Sequence, residues 1–295
     1  MRLSSINPTL LIFATSLGIF SFNLFTAFYF HPLPLIFLPA LFITQVIAVF
    51  LMFTPLHDAV HFVASKRRWL NEVILHGAWP VFINHPMLFR KIHLSHHART
   101  NQEGLDPDHF TSAQIFKEKR FGKNIAWLEK WARSFLLIFY YYFYSFKTYG
   151  RHEYFWMISS GASKLALIWL SFFGPYHDVF LWVWLAPNLV GIGLLAFANT
   201  AWPHHPGKDS ARYKNTRIIF IPRLMEVFML NQNLHLIHHL KPNMPWHQYP
   251  RYLEENKTRL IAEGVDFVHF QPLEPLRIQK SKVRMALIDV FKSFN

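Results

Sequence analysis

The sequence predicts an all-α integral membrane protein, with four transmembrane helices in two hairpins and a cytosolic helical cap that carries clusters of histidine. Three observations lead there. No Asp, Glu, Lys or Arg occurs from Leu3 to His57. A second apolar region runs from about Tyr154 to Trp202. Of the 30 Lys and Arg, 14 fall in residues 57–153 and another 14 in residues 202–295, which leaves only Arg2 and Lys164 elsewhere.

The elements follow in order. As one helix, residues 3–57 would be about 83 Å long, whereas a bilayer core needs about 30 Å. Two crossings fit, near Thr9–Phe30 and Leu35–Leu56, broken at His31-Pro32-Leu33-Pro34. A secretory signal peptide does not fit, because the second apolar run follows at once without a small-residue cleavage site. Residues 57–153 read as a cytosolic or interfacial block. Within it, Phe135–Phe146 is too short to cross upright and reads as a helix lying in the membrane interface. The second hairpin spans about 154–174 and 179–201, turning at Gly174-Pro175-Tyr176-His177-Asp178. Lys164 is costly in mid-span, so either the span shifts toward the turn or Lys164 lies at the cytosolic interface. Residues 202–295 form a C-terminal block, in which Ser281–Phe294 reads as a basic amphipathic helix on the membrane surface. The hairpin turns hold no Lys or Arg, so the positive-inside rule puts both termini and both hydrophilic blocks in the cytosol.

Composition narrows the chemistry. Charged residues make up 16% of the chain, below the ~25% usual for soluble domains. The formal charge of +13 reads as membrane orientation and attraction to anionic headgroups, since no nucleic-acid module accompanies it. The absence of Cys excludes disulfides, thiolate-ligated haem, cysteine-held iron–sulfur clusters and a catalytic thiol.

Histidine is abundant, at 18 residues, and three clusters stand out. His57-Asp58-Ala59-Val60-His61 closes the second crossing. His93-Leu94-Ser95-His96-His97 lies in the first block, and His235-Leu236-Ile237-His238-His239 in the second. Positions i, i+3 and i+4 share one helix face, so each cluster presents two or three imidazoles in one direction. Two H-x2-H-H triples arise together by chance at roughly a few in a thousand for this composition. His204, in Trp202-Pro203-His204-His205-Pro206, is chosen over His205 as a ninth ring.

Neutral imidazole suits Zn, Cu, Fe and Ni. Zinc normally takes four ligands, so nine histidines exceed one zinc and match two metals of higher coordination. The chain has no H-E-x-x-H, which argues against a zinc protease, and no E-x-x-H of soluble carboxylate-bridged di-iron bundles. What remains is a histidine-rich pair of irons at a membrane surface. Such iron can activate O2 against an unactivated C–H bond, and an apolar substrate can slide in from the bilayer.

These residues resemble the membrane fatty acid desaturase/hydroxylase superfamily, whose three histidine boxes have this order and spacing. The likeness is closer to its integral-membrane β-carotene hydroxylase branch. It is carried by His96-His97-Ala98-Arg99-Thr100-Asn101, Asp106-Pro107-Asp108-His109-Phe110, Pro203-His204 and Gln232-Asn233-Leu234 ahead of the third cluster, with Pro242, Pro245 and Trp246 after it. It covers a desaturase-type domain of about residues 50–250. The resemblance implies two irons held by His57 and His61, by His93, His96 and His97, by His204, and by His235, His238 and His239. It also implies an O2-dependent desaturase or hydroxylase of fatty acyl chains or carotenoids, in a membrane such as the bacterial cytoplasmic membrane. Acyl-CoA desaturases of the family carry an Asn four residues before the extra histidine, ligating through water. Here Thr200 holds that position and Asn199 is one residue off, which departs from the acyl-CoA pattern.

Asp58, Asp106 and Asp108 are candidates to fix imidazole tautomers; as capping or turn residues they would do no such work. Electrons must come from a separate carrier, a ferredoxin or cytochrome b5, and a basic face suits an acidic one. His205-Pro206-Gly207-Lys208 lacks the last Gly of the haem-binding H-P-G-G of cytochrome b5. Two rivals come from other classes. A membrane acyltransferase finds its H-x4-D at His204 to Asp209 but leaves the triples idle. A metal transporter would place ligands near the bilayer midplane. Two irons per chain separate the oxygenase from both.

Overall fold

The computed structural model describes residues 7–112, 123–204 and 211–269. His205, the H-P-G-K run, Asp209 and Ser281–Phe294 lie outside them. Four helices are long and apolar enough to cross a membrane: α1 (Pro8–Tyr29), α2 (Leu38–Val60), α8 (Arg151–Phe173) and α9 (His177–Ala201). Between the hairpins come α3 (Arg68–Gly77), α4 (Trp79–Phe82), α5 (Pro86–Arg99), α6 (His109–Ser112) and α7 (Lys123–Thr148). After α9 lie strand β1 (Arg217–Phe220), α10 (Arg223–Met229), α11 (His235–Leu240), α12 (Tyr249–Ala262) and strand β2 (Asp266–His269).

The spans follow the apolar runs with small shifts. Asn7 caps α1, its side chain accepting from the N–H of Thr9 and Leu10. The prolines at 32 and 34 delay α2 to Leu38, with Pro39 in its first turn, and the helix runs on to Val60. His57 therefore sits inside the helix and His61 caps its end. Phe135–Phe146 is the second half of the longer α7, whose earlier turns carry Glu129, Lys130 and Arg133.

The hairpins are tied by polar groups as well as packing, as spans in lipid require. Asn23 Nδ2 donates to Gln45 Oε1 at 2.8 Å, and Ser16 Oγ to the Ala48 carbonyl at 2.6 Å. Between hairpins, His31 Nε2 meets Asp178 Oδ1 at 3.1 Å. A Cβ on Gly191 would lie 2.7 Å from Val49, and one on Gly193 would strike the Phe135 ring. These two glycines let α2 and α7 close onto α9. An apolar core of Val49, Met52, Ile74, Leu75 and Leu195 joins α2, α3 and α9.

Two features were not visible in the sequence pattern. β1 and β2 form a two-stranded parallel sheet, Arg217 opposite Asp266 through Phe220 opposite His269. The other is a break at Ile83, between α4 and α5, where φ is +60°. Non-helical backbone at membrane depth must be satisfied by protein. Trp184 Nε1 donates to the Pro80 carbonyl and Asn188 Nδ2 to that of Val81; Ser160 Oγ accepts from His85 N–H.

Candidate metal centre

The structure brings all nine singled-out imidazoles together in two adjoining groups. His57, His61, His93, His97 and His238 form one; His96, His204, His235 and His239 form the other. Within each group one nitrogen per ring lies within 4.8 Å of all the others. Each triple divides between the groups. Its i, i+4 pair (His93 and His97, or His235 and His239) enters one group, and its middle histidine (His96 or His238) enters the other. One helix thereby serves both groups, which a shared-face reading does not distinguish.

Local structure fixes the rings. α2 supplies His57 and His61 one turn apart, α5 carries its triple over its last two turns, and the six-residue α11 begins at His235 and holds the other. His204 follows a π-helical turn, Phe197–Ala201, and its backbone bridges Thr216 at the start of β1. Asn233 Nδ2 donates 2.7 Å to the Ile219 carbonyl, pinning the start of α11 to the same strand.

The Nε2 atoms converge. His61 to His93 is 2.9 Å, His93 to His97 3.0 Å and His97 to His238 2.7 Å. In the second group His96 to His204 is 3.1 Å, His96 to His239 3.3 Å and His235 to His239 3.1 Å. The outer nitrogens have acceptors. His96 Nδ1 is 2.7 Å from Asp106 Oδ1, and His204 Nδ1 is 2.7 Å from the Thr200 carbonyl. These acceptors hold the proton on Nδ1 of both rings and turn Nε2 inward, where the two Nε2 atoms stand 3.1 Å apart. Metal–nitrogen bonds of about 2.0–2.1 Å put neighbouring ligands roughly 3 Å apart. His57, wholly buried, has no hydrogen-bond partner at either nitrogen, which leaves a nitrogen open to a metal.

Electrostatics agree. Burial, reinforced by neighbouring histidines, holds His93, His97, His235, His238 and His239 well below the usual imidazole range. His61 is pulled to about 4 and His204 to about 3, again chiefly by burial. The free rings are thus neutral, the form that ligates. His96 is the exception. Burial lowers it, but the Asp106 and Asp108 carboxylates outweigh that and raise it to about 9.

The acidic candidates part company. Asp106 serves both readings, holding His96 while accepting from Asn101 and Asp108 N–H to close the turn. Asp108 Oδ2 stands 3.7 Å from His96 Nδ1, and its Oδ1 accepts from Tyr141 OH at 2.6 Å. Asp58 points to no imidazole; Thr9 Oγ1 donates to it at 3.0 Å, tying α1 to α2. Thr200 accepts from Thr111 Oγ1 at 2.9 Å. The π turn, in which Trp202 N–H reaches back five residues to Phe197, accommodates the offset at Asn199. Its Oδ1 is buried without a partner, and the residue lines a cavity of about 60 Å³ together with His93, His96 and His235. Partners that sequence reading missed are Tyr249, whose OH lies 3.1 Å from His238 Nδ1, and Thr100, 3.4 Å from His239 Nδ1. Thr100, three residues after His97, had a helical-spacing signal; Tyr249 had none.

The architecture is an all-α membrane protein with two imidazole-lined groups able to hold metal. The fatty acid desaturase family model matches residues 10–270, and the chain belongs to that family. Comparison with curated proteins gave no match. Membership makes the chain an oxidoreductase of the membrane desaturase and hydroxylase kind, a kind that uses iron.

Proposed function

We propose that the chain is an O2-dependent, non-haem di-iron enzyme that desaturates or hydroxylates an unactivated C–H bond of a membrane lipid. The observation that carries this is the pair of adjoining imidazole groups, five rings and four, bordering an apolar cavity. His57, His61, His93, His97 and His238 would hold one iron; His96, His204, His235 and His239 the other. Bound iron supplies activation of O2 against the C–H bond. The protein's own residues do the rest. Asp106 keeps the proton on His96 Nδ1, and the Thr200 carbonyl does so for His204. Asn199 offers its free amide oxygen to the four-ring side. Phe53, Phe89 and Leu195 line the cavity, excluding water and holding a methylene near the rings.

Electrons come from a separate ferredoxin or cytochrome b5 that docks on the basic face. In this reading the rings and both termini lie on the cytosolic side of a bacterial membrane. The sequence flanking the second and third clusters favours a carotenoid; an acyl chain is the alternative. Expression in two hosts, one making β-carotene and one supplying only fatty acids, separates them by lipid profiling. A new hydroxylated carotenoid or a new acyl double bond is expected. No change in either host, with iron loaded and reductase present, contradicts the proposal.

A further inference from the structure

Lys164, the lysine left inside a span, does not reach for an interface. Its Nζ donates to Asn84 Oδ1 at 2.5 Å, Tyr142 OH at 2.6 Å and Ser160 Oγ at 3.0 Å, with the Ile83 carbonyl at 3.5 Å. All four partners are neutral oxygens, and no carboxylate among the described residues pairs with it. A buried ammonium without a counter-ion is costly. Ser160 Oγ is also over-subscribed. The His85 N–H, Tyr142 O–H and Lys164 Nζ converge on Ser160 Oγ at 3.1, 2.6 and 3.0 Å, and a hydroxyl has two lone pairs. The three Nζ hydrogens already have four neutral oxygens within 3.5 Å, so a guest oxygen would exchange with one of them, above all with the crowded Ser160 Oγ.

The lysine also lies on a route. It lines an apolar cavity of about 50 Å³ between α7, α8 and α9, together with Phe139, Tyr142, Ile168, Leu189 and Ile192. Phe139, Ile168 and Leu189 are 61%, 40% and 41% exposed, so this cavity opens on the lipid-facing side of the spans. Ile192 lines the histidine cavity as well, and so does Asn84, the partner of Lys164. Lipid face, lysine and imidazoles are therefore consecutive.

We propose that this cavity is the lateral access site through which lipid reaches the imidazole groups, and that Lys164 with Tyr142 receives a hydrogen-bond-accepting oxygen of that lipid. The guest is an apolar chain or ring system bearing a carboxylate, hydroxyl or keto oxygen away from the carbon to be oxidised. Plain hydrocarbon, β-carotene included, would bring no dipole to the ammonium, so of the two substrates named above this site favours the acyl chain. The inference rests on the chain being a lipid oxidoreductase, but its test does not use that activity.

The test uses the full-length chain, prepared without iron in lipid nanodiscs. Three photoreactive long-chain probes are compared: a carboxylic acid, the matching primary alcohol and a hydrocarbon without oxygen. Crosslinked residues are mapped by mass spectrometry. The oxygen-bearing probes should label residues 138–142, 164–168 and 188–192 about tenfold more than the hydrocarbon, the scale of one hydrogen bond to a charged donor. Acid well above alcohol identifies a carboxylate guest; equal labelling identifies a hydroxyl or keto oxygen. Lys164→Met should bring acid labelling down to the hydrocarbon level. Should that variant fail to assemble, Tyr142→Phe, which spares the lysine, should still lower labelling several-fold. Failed lipid oxidation with oxygen-selective labelling intact would count against the function alone. Hydrocarbon labelling equal to that of the oxygen probes, or labelling unchanged in the variants, overturns the inference.

Discussion

The five-ring and four-ring groups take imidazoles from the same helices, α5 and α11, yet they are held in different ways. The five-ring group is fixed mainly by packing. Phe53 stacks on His57 at 5.3 Å and Phe89 on His93 at 5.8 Å, and His57 makes no hydrogen bond at all. The four-ring group is braced by oxygen: Asp106, the Thr200 carbonyl and Thr100 each face an outer nitrogen. The contrast teaches that ring count and ring support compensate. Where five rings surround a position, aromatic walls and one hydroxyl, that of Tyr249 on His238, hold them. Where only four do, three of the four outer nitrogens face oxygen, His235 Nδ1 being the fourth, and the unpartnered Oδ1 of Asn199 belongs to a residue that lines the adjoining cavity.

The largest break in this comparison is His238→Ala. His238 is the only α11 ring in the five-ring group, 2.7 Å from His97. Its loss should lower oxygen-dependent lipid oxidation by more than about a hundredfold, since even a group behind a ligand is worth 10–100-fold; product formation per chain measures it. Next is Asp106→Asn, which removes the carboxylate bonded to His96, in the four-ring group. Graded chelation should strip one of the two metals about 10–100-fold more easily and leave the other unaffected; equal weakening of both would erase the distinction between the groups. Asn199→Leu should act in the same direction but less, by about tenfold at most, again read by chelator titration. The smallest catalytic effect belongs to Thr9→Val. It deprives buried Asp58 of a donor and Trp246 Nε1 of an acceptor, neither of them bonded to an imidazole, so thermal unfolding should show a loss of about 1–3 kcal/mol, with turnover per iron unchanged.

Much of this was legible in the sequence because its signals are local. A charge-free run from Leu3 to His57 is a property of composition, and the H-x2-H-H triples are a property of spacing. The four spans and the histidine clusters needed nothing else. The division of each triple between two groups was not legible, because it depends on where α2 and β1 lie relative to α5 and α11. Asp58, beside His57 in the chain, had the same claim as Asp106, but helix rotation sends it to Thr9 instead. Tyr249 reaches His238 only because α12 folds back over α11, where Tyr249 joins the core with Leu236 and Leu260. Lys164 was conspicuous as an anomaly, yet its partners Asn84 and Tyr142 come from a helix break and from α7. Asn199 was displaced from its expected position by one residue, and a π turn is not written in hydropathy.

If each imidazole group holds one metal, the chain carries two. Metal analysis of the full-length protein, purified after growth with iron and normalised to chain concentration, tests it directly. About two irons per chain are expected, falling toward one in Asp106→Asn under mild chelation. A single zinc per chain, or full lipid-modifying activity without any bound iron, would contradict it.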